Sequence, residues 1–251
     1  MKSGPAENPR ARDLGLPFPG TTGTWNALTD VPGVEVGYTT LLHGEGEVKV
    51  GEGPVRTGVT AILPRGKQDR PNPVWAGHYN LNGNGEMTGT HWINEAGYFI
   101  SPICITNTHS VGMVHHGTVS WMINQYPGTF QDDHAWPMPV IAETYPGLTN
   151  DCCGLHVREE HVIAALDSAK TGPIAEGNVG GGTGMVTYEF MGGTGTASRN
   201  INIGDRNYNV GALVQSNFGV RHELTVLGVP IGKHMPEDAI ISKLLGHEQG
   251  S

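Results

Sequence analysis

Short runs of apolar and β-branched residues, separated by clusters of Gly, Pro and Asn, recur along this 251-residue chain. Runs of this kind are typical of β-strands. They predict a strand beginning at 34–36 and further strands at 57–63, 103–106, 139–145, 185–190, 208–215 and 224–229. The last three follow one another quickly, which favours an antiparallel meander.

Three longer segments carry apolar residues at helical spacing. They predict helices at 109–125, 157–170 and 236–245. Pro127 ends the first helix, and Gly172 with Pro173 ends the second. Strands mixed with helices, without steady βαβ alternation, predict an α+β fold in which helices are layered on sheets.

The chain shows no break in composition, so a single domain is predicted over residues 25–251. Residues 1–24 are rich in Pro, Gly and charge and are predicted to form an N-terminal arm. Residues 43–53 are polar and rich in Gly and Glu, which predicts a hairpin loop. Residues 64–90 are dense in Pro, Asn and Gly, which predicts a long ordered loop.

The net charge of −9 argues against binding to nucleic acid or to an anionic membrane surface. There is no run of 18 apolar residues, so no membrane span is predicted. Three cysteines without a spaced pattern indicate a reducing compartment. Since the first residues lack the apolar stretch of a signal peptide, we expect a cytoplasmic protein, or a periplasmic one if a signal peptide has been removed.

Glycine is unusually frequent, with 38 residues in 251. The densest segment, residues 176–185, reads EGNVGGGTGM. It matches neither the phosphate-binding P-loop nor the dinucleotide-binding pattern. Two interpretations stay open for it: a structural turn, or a loop that lets a substrate backbone come close.

Histidines cluster at His109, His115 and His116, but without the spacing of a zinc site, so neither a metal nor another cofactor is expected. No G-x-S-x-G motif is present, which argues against an α/β-hydrolase triad. The cysteine pair 152–153 is better read as small, partly buried residues than as a nucleophile.

Three residues have a possible role in binding or catalysis. Glu143 ends an apolar strand, where a carboxylate is either a structural acceptor or an anchor for a substrate ammonium. Asn217 also ends a strand, where its amide either donates to an oxyanion or caps a turn. Trp136 either forms the wall of an apolar pocket or packs in the core.

The last two residues, Gly250 and Ser251, also permit two interpretations. One is a flexible tail or a remnant of cloning. The other is a scissile bond, after whose cleavage Ser251 would carry a free α-amine. Such an amine has a pKa near 8 and can act as the base for its own hydroxyl.

Four segments together resemble the L-aminopeptidase/D-Ala-esterase/amidase family, which includes the β-peptidyl aminopeptidases. They are ARDLG at 11–15, LTDVPGVEVG at 28–37, EGNVGGGTGM at 176–185 and VQSN at 214–217. The resemblance covers nearly the whole chain. It implies a four-layer αββα sandwich, similar in architecture to N-terminal nucleophile hydrolases but connected differently.

The resemblance further implies a precursor that cuts itself at a Gly-Ser bond, so that this chain is the α part plus the nucleophile. The nucleophile then maps onto Ser251, the oxyanion-hole amide onto Asn217 and the acid for the substrate amine onto Glu143. Tyr145 matches a position that helps to hold the reacting group in some members. Expected partners are the protein's own β subunit, further αβ units in a homo-oligomer, and a small peptide substrate.

The sequence thus predicts an aminopeptidase that releases N-terminal residues from small peptides, amides and esters. Ser251, Asn217 and Tyr145 are the predicted catalytic residues. Glu143, Trp136, Gly181 and Gly182 are the predicted substrate contacts. Two alternatives remain: an acyltransferase of similar architecture, and a Gly-rich binding protein without enzymatic activity.

Overall fold

The computed structural model describes residues 9–237 and residue 239. Ten strands and three α-helices are assigned within this part of the chain. In chain order they are β1 (Glu35–His43), β2 (Val55–Leu63), β3 (Val74–Trp75), α1 (Thr90–Ala96), β4 (Tyr98–Phe99), β5 (Ile103–Asn107), α2 (Val111–Gln125), β6 (Val140–Thr144), α3 (Glu159–Asp167), β7 (Val186–Thr187), β8 (Phe190–Met191), β9 (Gly193–Ile203) and β10 (Arg206–Ser216).

The main sheet has the strand order β1-β2-β5-β6. Strands β1, β2 and β5 pair antiparallel, whereas β5 and β6 pair parallel. Parallel neighbours need a crossover connection, and α2 lies in the chain between these two strands. Among the described residues, the β5–β6 pair is thus the one parallel pair in this sheet.

Helices α2 and α3 cover one face of the main sheet and form the principal core with it. The buried helix residues include Val114, Met122, Val162 and Leu166. They pack on strand residues that point to the same face, such as Val59, Ala61, Cys104 and Ile141. Within residues 9–237, no helix has the length and apolar character needed to cross a membrane.

The opposite face of the main sheet meets a second β layer. Strands β9 and β10 form an antiparallel two-stranded ribbon that pairs over eleven residues. A smaller core, which includes Val36 and Ile62 of the main sheet, packs against Leu213 of this ribbon. Helices, sheet and ribbon thus form successive layers, and the predicted α+β class is confirmed.

The beginning of the described chain is fastened to the ribbon by Arg10. The Arg10 guanidinium forms an ion pair of 2.6 Å with Glu176. It also donates hydrogen bonds to the carbonyl oxygens of Asn26 (2.8 Å) and of Thr196 in β9 (2.6 Å). Residues 9–24 therefore contact the body of the same chain, while the division into an arm and one domain stays a prediction.

Two strand predictions are wrong. The segment 185–190 is not one strand, because it turns back at Tyr188 and Glu189 to form the β7–β8 hairpin. Both turn residues have positive φ, 50° and 62°, as a tight hairpin turn requires. The segment 224–229 is a turn in which Val226 and Val229 form an isolated bridge.

The structure also contains helices and strands that the pattern of apolar residues does not predict. Strand β9 and the short helix α1 were both absent from the prediction, as were the two-residue strands β3 and β4. The helix predicted at 236–245 falls, apart from 236, 237 and 239, outside the described residues. Gly250 and Ser251 lie outside them as well.

Candidate active site

The candidate site lies at the carboxyl ends of β5 and β6. Because these strands are parallel, their ends meet at the same edge of the sheet. The register places Thr106 opposite Glu143 and Asn107 opposite Thr144. Strand β10 ends beside them, so residues that are distant in sequence come together at this edge.

Glu143 is partly buried near the end of β6, and both of its carboxylate oxygens accept hydrogen bonds. Oε1 accepts from the backbone N–H of Glu86 at 3.0 Å. Oε2 accepts a short hydrogen bond from the Thr108 hydroxyl. Glu143 therefore accepts structural hydrogen bonds that hold its carboxylate at the sheet edge. Its role as an anchor for a substrate ammonium stays a prediction.

Tyr145 follows β6 directly and is largely exposed, at 56%. Its ring lies against that of His109, with ring centroids 6.1 Å apart and planes inclined by 55°. The two consecutive residues Thr108 and His109 therefore contact the two predicted site residues Glu143 and Tyr145. The sequence singled out His109 only as part of a histidine cluster.

Asn217 follows β10 and uses its side chain to join three segments. Its Nδ2 donates to the carbonyl oxygen of Tyr145 at 3.1 Å. Its Oδ1 accepts from the backbone N–H of Val186, at the start of β7, at 3.0 Å. These two bonds run to distant segments and bring Asn217 to the same sheet edge as Glu143 and Tyr145. Its role as an oxyanion donor stays a prediction.

Gln215, two residues earlier in β10, is a site residue that the sequence did not indicate. Its Nε2 donates to the Thr106 carbonyl at 3.2 Å and to the Thr144 hydroxyl at 2.6 Å. These bonds tie the ribbon to the ends of both β5 and β6. Gln215 therefore joins the end of the ribbon to the sheet edge at which Glu143 lies.

The Gly-rich segment contains a buried 3₁₀ turn at Gly180–Gly182. A Cβ on Gly181 would overlap the Ile105 carbonyl oxygen and lie 2.5 Å from Oε1 of Gln215. A Cβ on Gly182 would lie 2.5 Å from the backbone nitrogen of Thr194. The close approach that the glycines allow is therefore made by the chain itself, which supports the structural interpretation. Substrate contact at Gly181 and Gly182 stays a prediction.

Trp136 is 64% exposed, so it does not pack in the core. Its role as a pocket wall stays a prediction. The predicted nucleophile Ser251 and the preceding Gly250 lie outside the described residues.

The part of the chain that the structure describes has no cluster of three or more His, Cys, Asp or Glu side chains that could hold a metal ion. On α2, burial lowers the pKa of His115, and the neighbouring His116 lowers it further. Cys104 is buried, and burial raises the pKa of its thiol to about 12. A thiol with that pKa is a poor nucleophile near neutral pH.

The chain has the fold of an N-terminal nucleophile hydrolase, in a variant form. Its structure is similar to that of the L-aminopeptidase D-Ala-esterase/amidase from Ochrobactrum anthropi, which is described as a prototype for the serine aminopeptidases and a new variant of that fold. The TM-score is 0.90 and the sequence identity 55%, over 94% of this chain and 65% of that chain.

Residues 26–251 match the sequence model of Peptidase family S58, and the chain belongs to this family. It is 55% identical over 238 residues to the β-peptidyl aminopeptidase BapA of Sphingosinicella microcystinivorans, which covers 92% of this chain and 58% of BapA. A β-aminopeptidase from Burkholderia sp. has 49% identity and a TM-score of 0.80, over 90% of this chain and 62% of that chain. The chain thus spans between 58% and 65% of the length of these three proteins.

Proposed function

We propose that this chain is the α part of a self-cleaving serine aminopeptidase. The complete protein would release one N-terminal residue from small peptides, amides or esters. Membership of Peptidase family S58 supports this proposal. So does the similarity to a β-peptidyl aminopeptidase and to a prototype of the serine aminopeptidases.

The observation that carries the proposal is the meeting of Glu143, Tyr145 and Asn217 at one sheet edge. Asn217 bonds directly to the backbone of Tyr145, two residues after Glu143. A carboxylate and an amide so placed suit a substrate whose ammonium lies close to the carbonyl under attack. An N-terminal amino acid residue has this arrangement of charge and carbonyl.

In the proposed reaction, cleavage of the Gly250–Ser251 bond exposes the α-amine of Ser251. The Ser251 hydroxyl attacks the substrate carbonyl, and its proton passes to this α-amine. Asn217 stabilises the oxyanion, and Glu143 binds the substrate ammonium. The protonated amine then gives its proton to the leaving group, and water hydrolyses the resulting acyl-enzyme ester.

The remaining residues have supporting roles in this proposal. Tyr145 helps to hold the reacting group, Trp136 lines the side-chain pocket, and Gly181 and Gly182 let the substrate backbone come near. The rest of the precursor forms a β subunit that pairs with this chain, and several αβ units assemble together. The reaction uses no cofactor, and the protein acts in the cytoplasm or, after removal of a signal peptide, in the periplasm.

Intact mass of the natural gene product tests the proposal. We expect two fragments that separate just before Ser251, and hydrolysis of aminoacyl p-nitroanilides. The Ser251→Ala variant should remain one chain without activity. A Ser251→Ala protein that is still cut and active would overturn the proposal. When an amine acceptor is added, the acyl group should still be released to water as the free acid. Transfer of the acyl group to the amine would indicate an acyltransferase instead.

A further inference from the structure

The turn that follows β5 is held in place by a buried asparagine. Asn107 is 2% exposed, and its Nδ2 donates to the Thr57 hydroxyl of β2 at 2.7 Å. Its Oδ1 accepts from the backbone N–H of His109 and from the Ser110 hydroxyl, both at 3.1 Å. Buried polar networks whose members are paired are rigid, so this turn has one defined position relative to the sheet.

Thr108 lies within this turn, and its hydroxyl donates to Oε2 of Glu143. The other carboxylate oxygen is held from a different element, by the backbone N–H of Glu86. The backbone at Gly85 comes so near that a Cβ there would lie 3.2 Å from Oε1. The two donors approach the carboxylate from separate loops and fix its rotation about the side chain.

From this geometry we infer that Thr108 is a positioning residue for substrate binding, acting through the carboxylate of Glu143. The inference rests on the proposed function, in which Glu143 receives the substrate ammonium. A glutamate side chain loses rotational freedom when it binds a ligand, and that loss weakens binding. When the Thr108 hydroxyl has already oriented the carboxylate, less freedom is lost on binding.

A different role for the same hydroxyl would be to join β5 to β6. Those strands already pair through five register positions, from Ile103–Val140 to Asn107–Thr144. One more hydrogen bond between them would affect the stability of the protein, with no selective effect on the binding of charged substrates. The two roles can therefore be separated by comparing KM, kcat and thermal stability.

The test uses the complete gene product with Thr108→Val, which keeps the side-chain shape and removes the hydroxyl. Thr108→Ala is a second variant in case valine disturbs folding. We expect a rise in KM for an aminoacyl p-nitroanilide of about 2- to 10-fold, the cost of ordering one side chain on binding. kcat should change much less. Thr108→Ser should restore KM, and Thr171→Val, which alters an exposed threonine, should leave it unchanged.

A double-mutant cycle with Glu143→Gln shows whether Thr108 acts through Glu143. We expect Thr108→Val to add little to KM once Glu143 is replaced. A substrate analogue that lacks the α-amine should be hydrolysed equally by the wild-type protein and by Thr108→Val. Thr108 variants that fold and keep a normal KM, or whose effects add fully to those of Glu143→Gln, would overturn the inference.

The same measurements separate this inference from the proposed function. If Glu143→Gln raises KM and Thr108→Val does not, the ammonium anchor stands and the role of Thr108 is wrong. If Glu143→Gln leaves KM unchanged, the anchor itself is wrong and the inference falls with it.

Discussion

The side-chain amide of Asn217 donates a hydrogen bond of 3.1 Å to the backbone carbonyl of Tyr145. This bond fastens the end of β10 in the ribbon to the end of β6 in the main sheet. It links the predicted oxyanion donor to the strand that carries the predicted ammonium anchor. The distance between the two functional groups is thereby set by the fold.

Replacement of Asn217 by alanine should lower kcat of the complete enzyme by about 10²-fold or more, the usual effect of losing one oxyanion donor. The measurement is steady-state hydrolysis of an aminoacyl p-nitroanilide by processed protein. The thermal stability of the variant should be measured alongside its activity, because the substitution also removes the hydrogen-bond acceptor of the Val186 N–H. A folded variant with a near-normal rate would remove Asn217 from the oxyanion hole.

Replacement of Glu143 by glutamine should raise KM with little change in kcat. The amide still offers an oxygen as acceptor but has no charge to attract an ammonium, so we expect a rise of roughly 10- to 100-fold. KM values for substrates with and without the α-amine give the comparison. An equal effect on both substrates would contradict an interaction between Glu143 and the amine.

Replacement of Gly181 by alanine should destabilise the protein by about 1–3 kcal/mol, the usual range for forcing extra atoms into a packed site. Its Cβ would overlap the Ile105 carbonyl. Gly195→Ala is the matched control, because a Cβ on Gly195 would meet no atom within 4 Å. Urea unfolding midpoints measure the difference. If the two variants are equally stable and only Gly181→Ala loses activity, Gly181 contacts the substrate.

Asp151 should contribute to stability in a pH-dependent way. The hydrogen bond from His156, together with bonds from the backbone N–H groups of Gly51 and Gly154, holds the pKa of this buried carboxyl below its ordinary value of 3.8. A carboxyl whose pKa is lower in the folded state stabilises the protein above its unfolded pKa. That contribution is lost as the pH falls through the folded pKa.

The check is urea unfolding of the wild-type protein and Asp151→Asn between about pH 6 and pH 3. The wild-type protein should be the more stable near pH 6, and the difference should shrink as the pH drops below about 4. A difference that stays constant over this range would show that the ionised carboxylate is not responsible.

The elements with the clearest patterns were predicted correctly from the sequence. Strand β2 is a β-branched run that Pro64 follows, and α3 has its apolar face at helical spacing. Strand β9 was missed because its residues, GTGTASRNINI, are rich in Gly and Asn, which are uncommon in strands. Its strand conformation depends on pairing with β10 along its whole length, and pairing is a tertiary property.

The site could be predicted only in part, for a related reason. Glu143 and Asn217 each stood out as polar residues at the end of an apolar strand. Their proximity depends on the parallel pairing of β5 with β6 and on the packing of the ribbon, and neither can be read from local pattern. Thr108 lies in the gap between a predicted strand and a predicted helix, so nothing in the sequence marks it.

The attachment of the first described residues through Arg10 has a practical consequence for shortening the protein. A variant that begins at Ala11 would lack the Arg10 guanidinium, which donates hydrogen bonds to the carbonyl oxygens of Trp25, Asn26 and Thr196. Glu176 would also lose its ion pair with Arg10. Trimming for expression or crystallisation should therefore stop short of Arg10, and affinity tags belong upstream of it.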